Sequence, residues 1–109
     1  MVMPDGKEET CDMDHLFQML GSRWNLLIIW HLRNKVLRFT ELKRLMDDVN
    51  SKTITVHLRE LETFHIVRRV AYPEVPPRVE YSLTEHGEAI IPLFSAMKKW
   101  GISLPPPGR

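Results

Sequence analysis

Cysteine is almost missing from this chain: Cys11 is the one thiol in 109 residues. A lone cysteine excludes an intramolecular disulfide framework and fits a reducing compartment. Long apolar runs are missing too. The longest, Leu26 to Trp30, is five residues, where a bilayer span needs roughly 18. The N-terminus is acidic and lacks a signal-peptide core. Together these absences predict a soluble cytoplasmic protein with no membrane partner. Enzymatic signatures are absent as well: there is no glycine-rich phosphate loop, nucleophile elbow or HExxH. The histidines (His15, His31, His57, His65, His86) show no metal-ligand spacing and no companion cysteines. The expectation is a non-enzyme without cofactor or metal.

Charge of one sign is also lacking, with a net value of +1, but its distribution is uneven. Residues 1–20 carry one lysine against five acids, or −4, which leaves the other 89 residues at +5. That asymmetry permits a nucleic-acid partner for the body of the chain without requiring one. What is plentiful is apolar side chain, at 43% of residues with three tryptophans and four phenylalanines. This is enough for the core of one small domain. Such a domain leaves much surface exposed, so a second copy sharing apolar helices would help it.

Residues 1–10 read as a flexible arm and 102–109, with Pro105-Pro106-Pro107, as a flexible tail. Between them, 11–101 form the domain. The spacing of Met13, Leu16, Phe17 and Leu20 predicts a short first helix from Asp12, ended or bent at Gly21. Ser22 caps a second helix, Arg23 to about Asn34, apolar nearly all round and therefore central. A short extended segment, Val36–Arg38, leads to a third helix carrying Phe39, Leu42, Leu45 and Met46. After a polar break at Asp47-Asp48-Val49-Asn50, Asn50 or Ser51 caps a fourth helix to about Thr63. His65 stands where a helix exit often uses glycine in a left-handed conformation. Ile66–Tyr72 and Val79–Leu83 read as a hairpin around the stiff tip Pro73-Glu74-Val75-Pro76-Pro77. Thr84 caps a last helix whose stripe is Ala89, Ile90, Leu93, Phe94, Met97 and Trp100, with a kink expected at Pro92. Met13, Met19, Met46 and Met97 read as core fillers, and the three tryptophans as core side chains.

Helix, helix, helix, helix, hairpin, helix is the winged helix-turn-helix order: mainly α with a small β-hairpin wing. A 100° advance per residue puts Ile54, Leu58 and Leu61 on one face of the fourth helix, with Lys52, Val56, Arg59 and Thr63 opposite and Thr55 at the edge. A DNA reading gives each free residue a task. Ser51 and Lys52 meet phosphates or base edges at the positive end of the helix dipole. Arg59 forks onto guanine or a phosphate, Thr55 hydrogen-bonds, and Val56 touches a thymine methyl. Arg68, Arg69 and Arg78 extend the footprint through the wing, while Arg38, Lys43 and Arg44 hold flanking phosphates. The competing reading is a winged-helix protein-interaction module on which these are ordinary solvated charges.

Six segments resemble the HxlR family of winged-helix regulators, relatives of the MarR group. They are Cys11 with Asp14; Gly21-Ser22-Arg23-Trp24; Arg38-Phe39-Thr40-Glu41-Leu42; Leu58-Arg59-Glu60-Leu61-Glu62; Tyr72 to Tyr81; and Leu83-Thr84-Glu85-His86-Gly87. The resemblance covers Cys11 to Trp100. It implies a homodimer through the first and last helices, bound as a repressor or activator to a pseudo-palindromic operator in double-stranded DNA, with Arg59 and the start of the fourth helix reading the major groove. The chain departs from the family pattern at Arg23 (lysine in the family), at Val49-Asn50 (isoleucine-serine) and at Phe64-His65 (aspartate-glycine).

The resemblance also implies that Cys11 senses oxidants or electrophiles. A location just ahead of the first helix favours thiolate, while Asp12 and Asp14 oppose it. The alternative is a small buried residue at the dimer interface. A small-molecule effector has a candidate crevice near Trp24, Trp30 and Trp100.

Overall fold

The computed structural model describes residues 7–107, with side chains described from Met13 onward. Nine elements follow in order: α1 (Lys7–Leu20), α2 (Arg23–Leu32), β1 (Leu37–Arg38), α3 (Phe39–Leu45), α4 (Ser51–Thr63), β2 (Val67–Tyr72), β3 (Arg78–Leu83), α5 (Glu85–Ala89) and α6 (Ile91–Ser103). The strands form one antiparallel sheet in the order β1-β3-β2. Leu37 faces Tyr81 across β1–β3, and Arg69 faces Tyr81 across β2–β3. The expected two-stranded wing therefore gains a third strand at its base, which ties the start of α3 to the hairpin.

Side-chain caps set the helix starts. Ser22 accepts from the Asn25 N–H, Asn50 from Thr53 and Thr84 from Gly87, each satisfying a donor that the first helical turn leaves unpaired. The stripe after Thr84 is broken in two at Ile90, because Pro92 opens α6 and cannot donate a hydrogen bond back to the preceding turn. Gly87 is buried, and a Cβ there would collide with the Ile66 carbonyl. Glycine is what lets α5 lie against the entrance of β2.

The core gathers Ile28, Ile29 and Leu32 of α2, Leu42 of α3, and Ile54, Leu58 and Leu61 of α4, all at 1% exposure or less. Met19, Met46, Val49, Val67 and Leu83 close it. The central role of α2 is as expected. Several apolar residues assigned inward are not inward: Met13, Leu16 and Phe17 on α1, Leu45 on α3, and Leu93, Met97 and Trp100 on α6 are exposed, Trp100 at 67%. Periodicity reports which residues share a face; it does not report whether one chain covers that face. The radius of gyration, 16.5 Å, exceeds the ~13 Å of a compact domain of this length, consistent with terminal helices standing away from the core.

Helix boundaries differ from expectation, α2 ending at Leu32 and not near Asn34. α1 begins at Lys7, five residues before Asp12, and α6 continues through Gly101 to Ser103. It stops before Pro105, where Leu104 takes the extended backbone favoured ahead of proline.

Candidate nucleic-acid interface

α3 and α4 are joined through Met46 and a four-residue turn, held by the Val49 N–H donating to the Met46 carbonyl at 3.0 Å. Val49 is buried beneath the turn, so the crossing of the two helices is pinned by an apolar plug as well as by the Asn50 cap. α4 exits through a paired-hydrogen-bond motif. The His65 N–H donates to Glu62 O and the Ile66 N–H to Leu61 O, both at 2.9 Å, with His65 at φ 62°. This is the Schellman exit that glycine usually serves. Here the left-handed residue is histidine, one of the side chains that tolerates positive φ better than most. Buried Leu61 and Ile66 supply the accompanying apolar contact.

The outer face of α4 carries Ser51, Lys52, Val56 and Arg59, all exposed, with Thr55 half-buried at its edge. The Thr55 hydroxyl donates to the Ser51 carbonyl at 2.8 Å, which leaves its oxygen lone pairs for an incoming donor. Thr55 and Arg59 share a polar cleft with Glu62, with Arg69 of β2 and with Tyr81 of β3. The structure thus brings one wing arginine beside the helix arginine. Arg68, the next residue along β2, is exposed as well, on the other face of the strand.

Among the described residues, ion pairs are confined to the His57–Glu60 contact and to Arg78 with Glu74 and Glu80. Lys52, Arg59, Arg68, Arg69, Arg38 and Arg44 therefore make no close ion pair among the described residues, and Glu62 is the one carboxylate in the cleft of Arg59 and Arg69. Lys43 is spent differently, donating to the Asp47 carbonyl at 3.2 Å in the turn. Arg78 stands apart from the other expected contacts. Its guanidinium binds Glu74 at 2.8 Å and Glu80 at 3.0 Å and stacks 4.1 Å over the Tyr72 ring. Two carboxylates and a ring make it a brace inside the wing. Arg38 is exposed at the end of β1, where its backbone N–H donates to the Glu41 carboxylate.

Cys11 lies inside α1, at its fifth residue, not ahead of it. A cysteine within the helix is not set at its N-terminus, so the helix start gives it no special activation. The thiol itself falls outside the described side chains. No group of three or more potential metal ligands occurs among the described residues, and no described helix is long and apolar enough to cross a membrane.

Sequence reasoning passed over Asn25. It is fully buried in α2, donates to the Met19 carbonyl and to Glu60, and contacts His57. One polar residue in the otherwise apolar run from Trp24 to Trp30 was the available signal. Glu62 and Tyr81, which line the cleft, were also missed, because only the folded wing brings β3 against α4.

The HxlR-like helix-turn-helix family model matches residues 19–107. The chain belongs to that family. Among its relatives, an uncharacterized HTH-type transcriptional regulator of Methanothermobacter thermautotrophicus is 39% identical over 94 residues, covering 86% of this chain and 72% of the relative. Bacillus subtilis YybR, of the same description, is 38% identical over 96 residues, covering 88% and 77%. Among solved structures, the reduced form of the transcriptional regulator YodB from B. subtilis superposes with a TM-score of 0.78 at 35% identity over the whole of both chains. The redox regulator HypR in its oxidised form gives 0.75 at 37% identity, covering 87% of this chain and 98% of that one. A MarR-family transcriptional regulator of Porphyromonas gingivalis gives 0.76 at 35% identity, covering 85% of this chain and 91% of that one; the fold is a MarR-type winged helix, and the family is one of transcriptional regulators.

Proposed function

We propose that this HxlR-type protein is a sequence-specific DNA-binding repressor that acts as a homodimer on a pseudo-palindromic operator. The observation that carries the reading is the face of α4. It is locked to the core on one side and presents Lys52 and Arg59, free of close ion pairs among the described residues, on the other, with Arg59 sharing a cleft with Arg69 of the wing. In this reading Ser51, Lys52, Thr55, Val56 and Arg59 enter the major groove. Arg68 and Arg69 follow the adjacent backbone, and Arg38 and Arg44 hold flanking phosphates. Lys43 keeps the turn, and Arg78 keeps the wing in shape.

The apolar faces of α1 and α6 support a dimer through those helices. Between α2 and α6 runs an open groove of about 860 Å³ lined by the apolar Trp30, Phe94 and Ile102 and the cationic Arg23, Lys98 and Lys99. An apolar, acidic α1 from a second copy complements it in both respects. Likeness to the redox regulators HypR and YodB supports a thiol response through Cys11, by an intersubunit disulfide between the two Cys11 residues or by a mixed adduct.

Selection of bound fragments from random DNA, followed by affinity measurements at 50 and 200 mM salt, tests the DNA reading. Binding falls steeply with salt, and half-sites lie ~34–36 Å apart. Arg59→Ala costs about 1–3 kcal/mol and relaxes one base position, while Arg68→Ala/Arg69→Ala flattens the salt slope by roughly one per lost phosphate contact. Binding that ignores salt and both variants would make the domain a protein-docking module. Diamide weakens the wild type and leaves Cys11→Ser unchanged if the thiol responds; equal sensitivity in both removes Cys11 from the mechanism.

A further inference from the structure

Asn25 is the one fully buried polar side chain among the described residues, and it sits where α2 crosses α4. Its amide nitrogen is 3.0 Å from the Met19 carbonyl, at the end of α1, and 2.7 Å from Glu60 Oε1 on α4. Both amide hydrogens are thereby used. The amide oxygen is left as acceptor for His57 Nδ1 at 2.9 Å, which requires the imidazole to carry its hydrogen on Nδ1. One side chain thus gathers groups from α1 and from two successive turns of the recognition helix. A second contact runs in parallel: the His15 ring of α1 meets the edge of Phe64, at the end of α4, with centroids 6.4 Å apart.

The rest of the α2–α4 contact is aliphatic. Burial of Ile54, Leu58 and Leu61 is favourable in any orientation that keeps them dry, because the hydrophobic effect is non-directional. Hydrogen bonds are directional and fail within a few tenths of an ångström. A satisfied buried polar cluster can therefore select one arrangement among several of similar burial. The mean direction of His57 and Glu60 lies roughly 120° around α4 from that of Thr55, Val56 and Arg59. Turning a helix with a radius of about 5–6 Å by 10° shifts that outer face by ~1 Å, enough to misalign a two-pronged arginine contact with a base.

We propose that Asn25 is a positioning residue that fixes the rotation of α4 against the end of α1, so that operator discrimination depends on the Met19–Asn25–Glu60/His57 cluster. Asn25 touches no DNA; it acts through the side chains on the far face of the helix. This deepens the DNA-binding reading and rests on it. It also means that displacement of α1, by dimer rearrangement or modification, reaches the recognition helix through a hydrogen-bonded path.

Two readouts separate this proposal from the reading beneath it. The first needs no DNA: nitrogen NMR of the His57 ring in the full-length protein. The wild type shows the Nδ1–H tautomer, and Glu60→Gln, which retains an acceptor for Asn25, keeps it. Asn25→Leu loses it. A wild-type ring without the Nδ1 hydrogen overturns the proposal whatever the protein binds. The second is the ratio of affinities for a selected operator fragment and sheared genomic DNA at fixed salt. Asn25→Leu and Glu60→Leu lower that ratio by about ten-fold, the scale of one misplaced bidentate base contact, with genomic-DNA affinity within about two-fold of each parent's salt-corrected value. Glu60→Gln retains the ratio. Glu60 is part-exposed, so its variants fold even if Asn25→Leu does not. An unchanged ratio in the Leu variants overturns the proposal. A wild type that binds neither DNA sinks the regulator reading and takes the specificity role of Asn25 with it, while the ring tautomer still reports on the cluster.

Discussion

α4 and α6 are both thirteen residues long, yet the chain completes one and leaves the other open. α4 is capped by Asn50, closed by the His65 exit and covered along Ile54, Leu58 and Leu61; what remains outside is polar and cationic. α6 has no side-chain cap and no buried residue, and its outside is Leu93, Met97, Trp100 and Ile102. The same physics acts on both. A helix with a buried stripe and a charged remainder is stable in water within one chain. A helix whose apolar stripe has no cover is waiting for protein, because monomers seldom expose large contiguous apolar patches. The kind of residue left uncovered is what supports the proposed partners: a polyanion for α4, another apolar surface for α6.

The comparison breaks most directly in the core. Leu58→Ala removes a core side chain of α4 at 1% exposure, and it should cost about 2–5 kcal/mol in urea unfolding. That loss should be the same at every protein concentration at which the chain holds one oligomeric state. A cost below about 1 kcal/mol would mean that α4 is less firmly seated than its burial indicates. Trp100→Ala probes the other helix. If α6 joins two copies, removing its most exposed large ring weakens the dimer by about 2 kcal/mol, a shift of roughly 30-fold in the monomer–dimer midpoint seen by sedimentation. A midpoint that does not move would take Trp100 out of the interface.

This contrast also explains what was legible in the sequence. The bounds of α4, a cap at Asn50 or Ser51 and its buried and free faces were readable, because cap chemistry and 3.6-residue periodicity act within a dozen residues. The break at Pro92 and the left-handed His65 were readable for the same reason. Exposure of Met13, Met97 and Trp100 was not. Their spacing is that of a buried stripe, and the described residues leave that stripe uncovered. The commitment of Arg78 to Glu74 and Glu80 was equally hidden. The wing tip folds back so that the acids flanking the turn meet the arginine, whereas a count of basic residues treats Arg68, Arg69 and Arg78 alike. Asn25 shows the limit from the other side: its position in an apolar run was visible, and its three partners, on α1 and α4, were not.

α2 serves both helices, packing Leu32 and Ile28 beneath α4 and Trp30 against Phe94 of α6 at 6.1 Å. The smallest of the expected effects lies on it. His31, in its last turn, has a pKa below the ordinary 6.5, first because partial burial penalises the charged ring and then because Lys35 and Arg33 repel it. A helix C-terminus by itself favours a cation, so here burial and two like charges outweigh the dipole. With the folded pKa lowered, the unfolded chain binds the proton more readily, and stability rises with pH through that region. The contribution of neutral His31 is fully present above 6.5 and is lost as pH falls from there through the lower folded value. His31→Gln should therefore match the wild type in its change of stability from pH 8 to 7 and lose less from pH 6.5 to 5. The discount for solvent screening is large at this part-exposed site, so the difference is read as a change of slope between paired urea titrations. Parallel slopes down to pH 5 would show that the His31 ring is free to take up its proton, and that the cationic end of α2 is better hydrated than its packing implies.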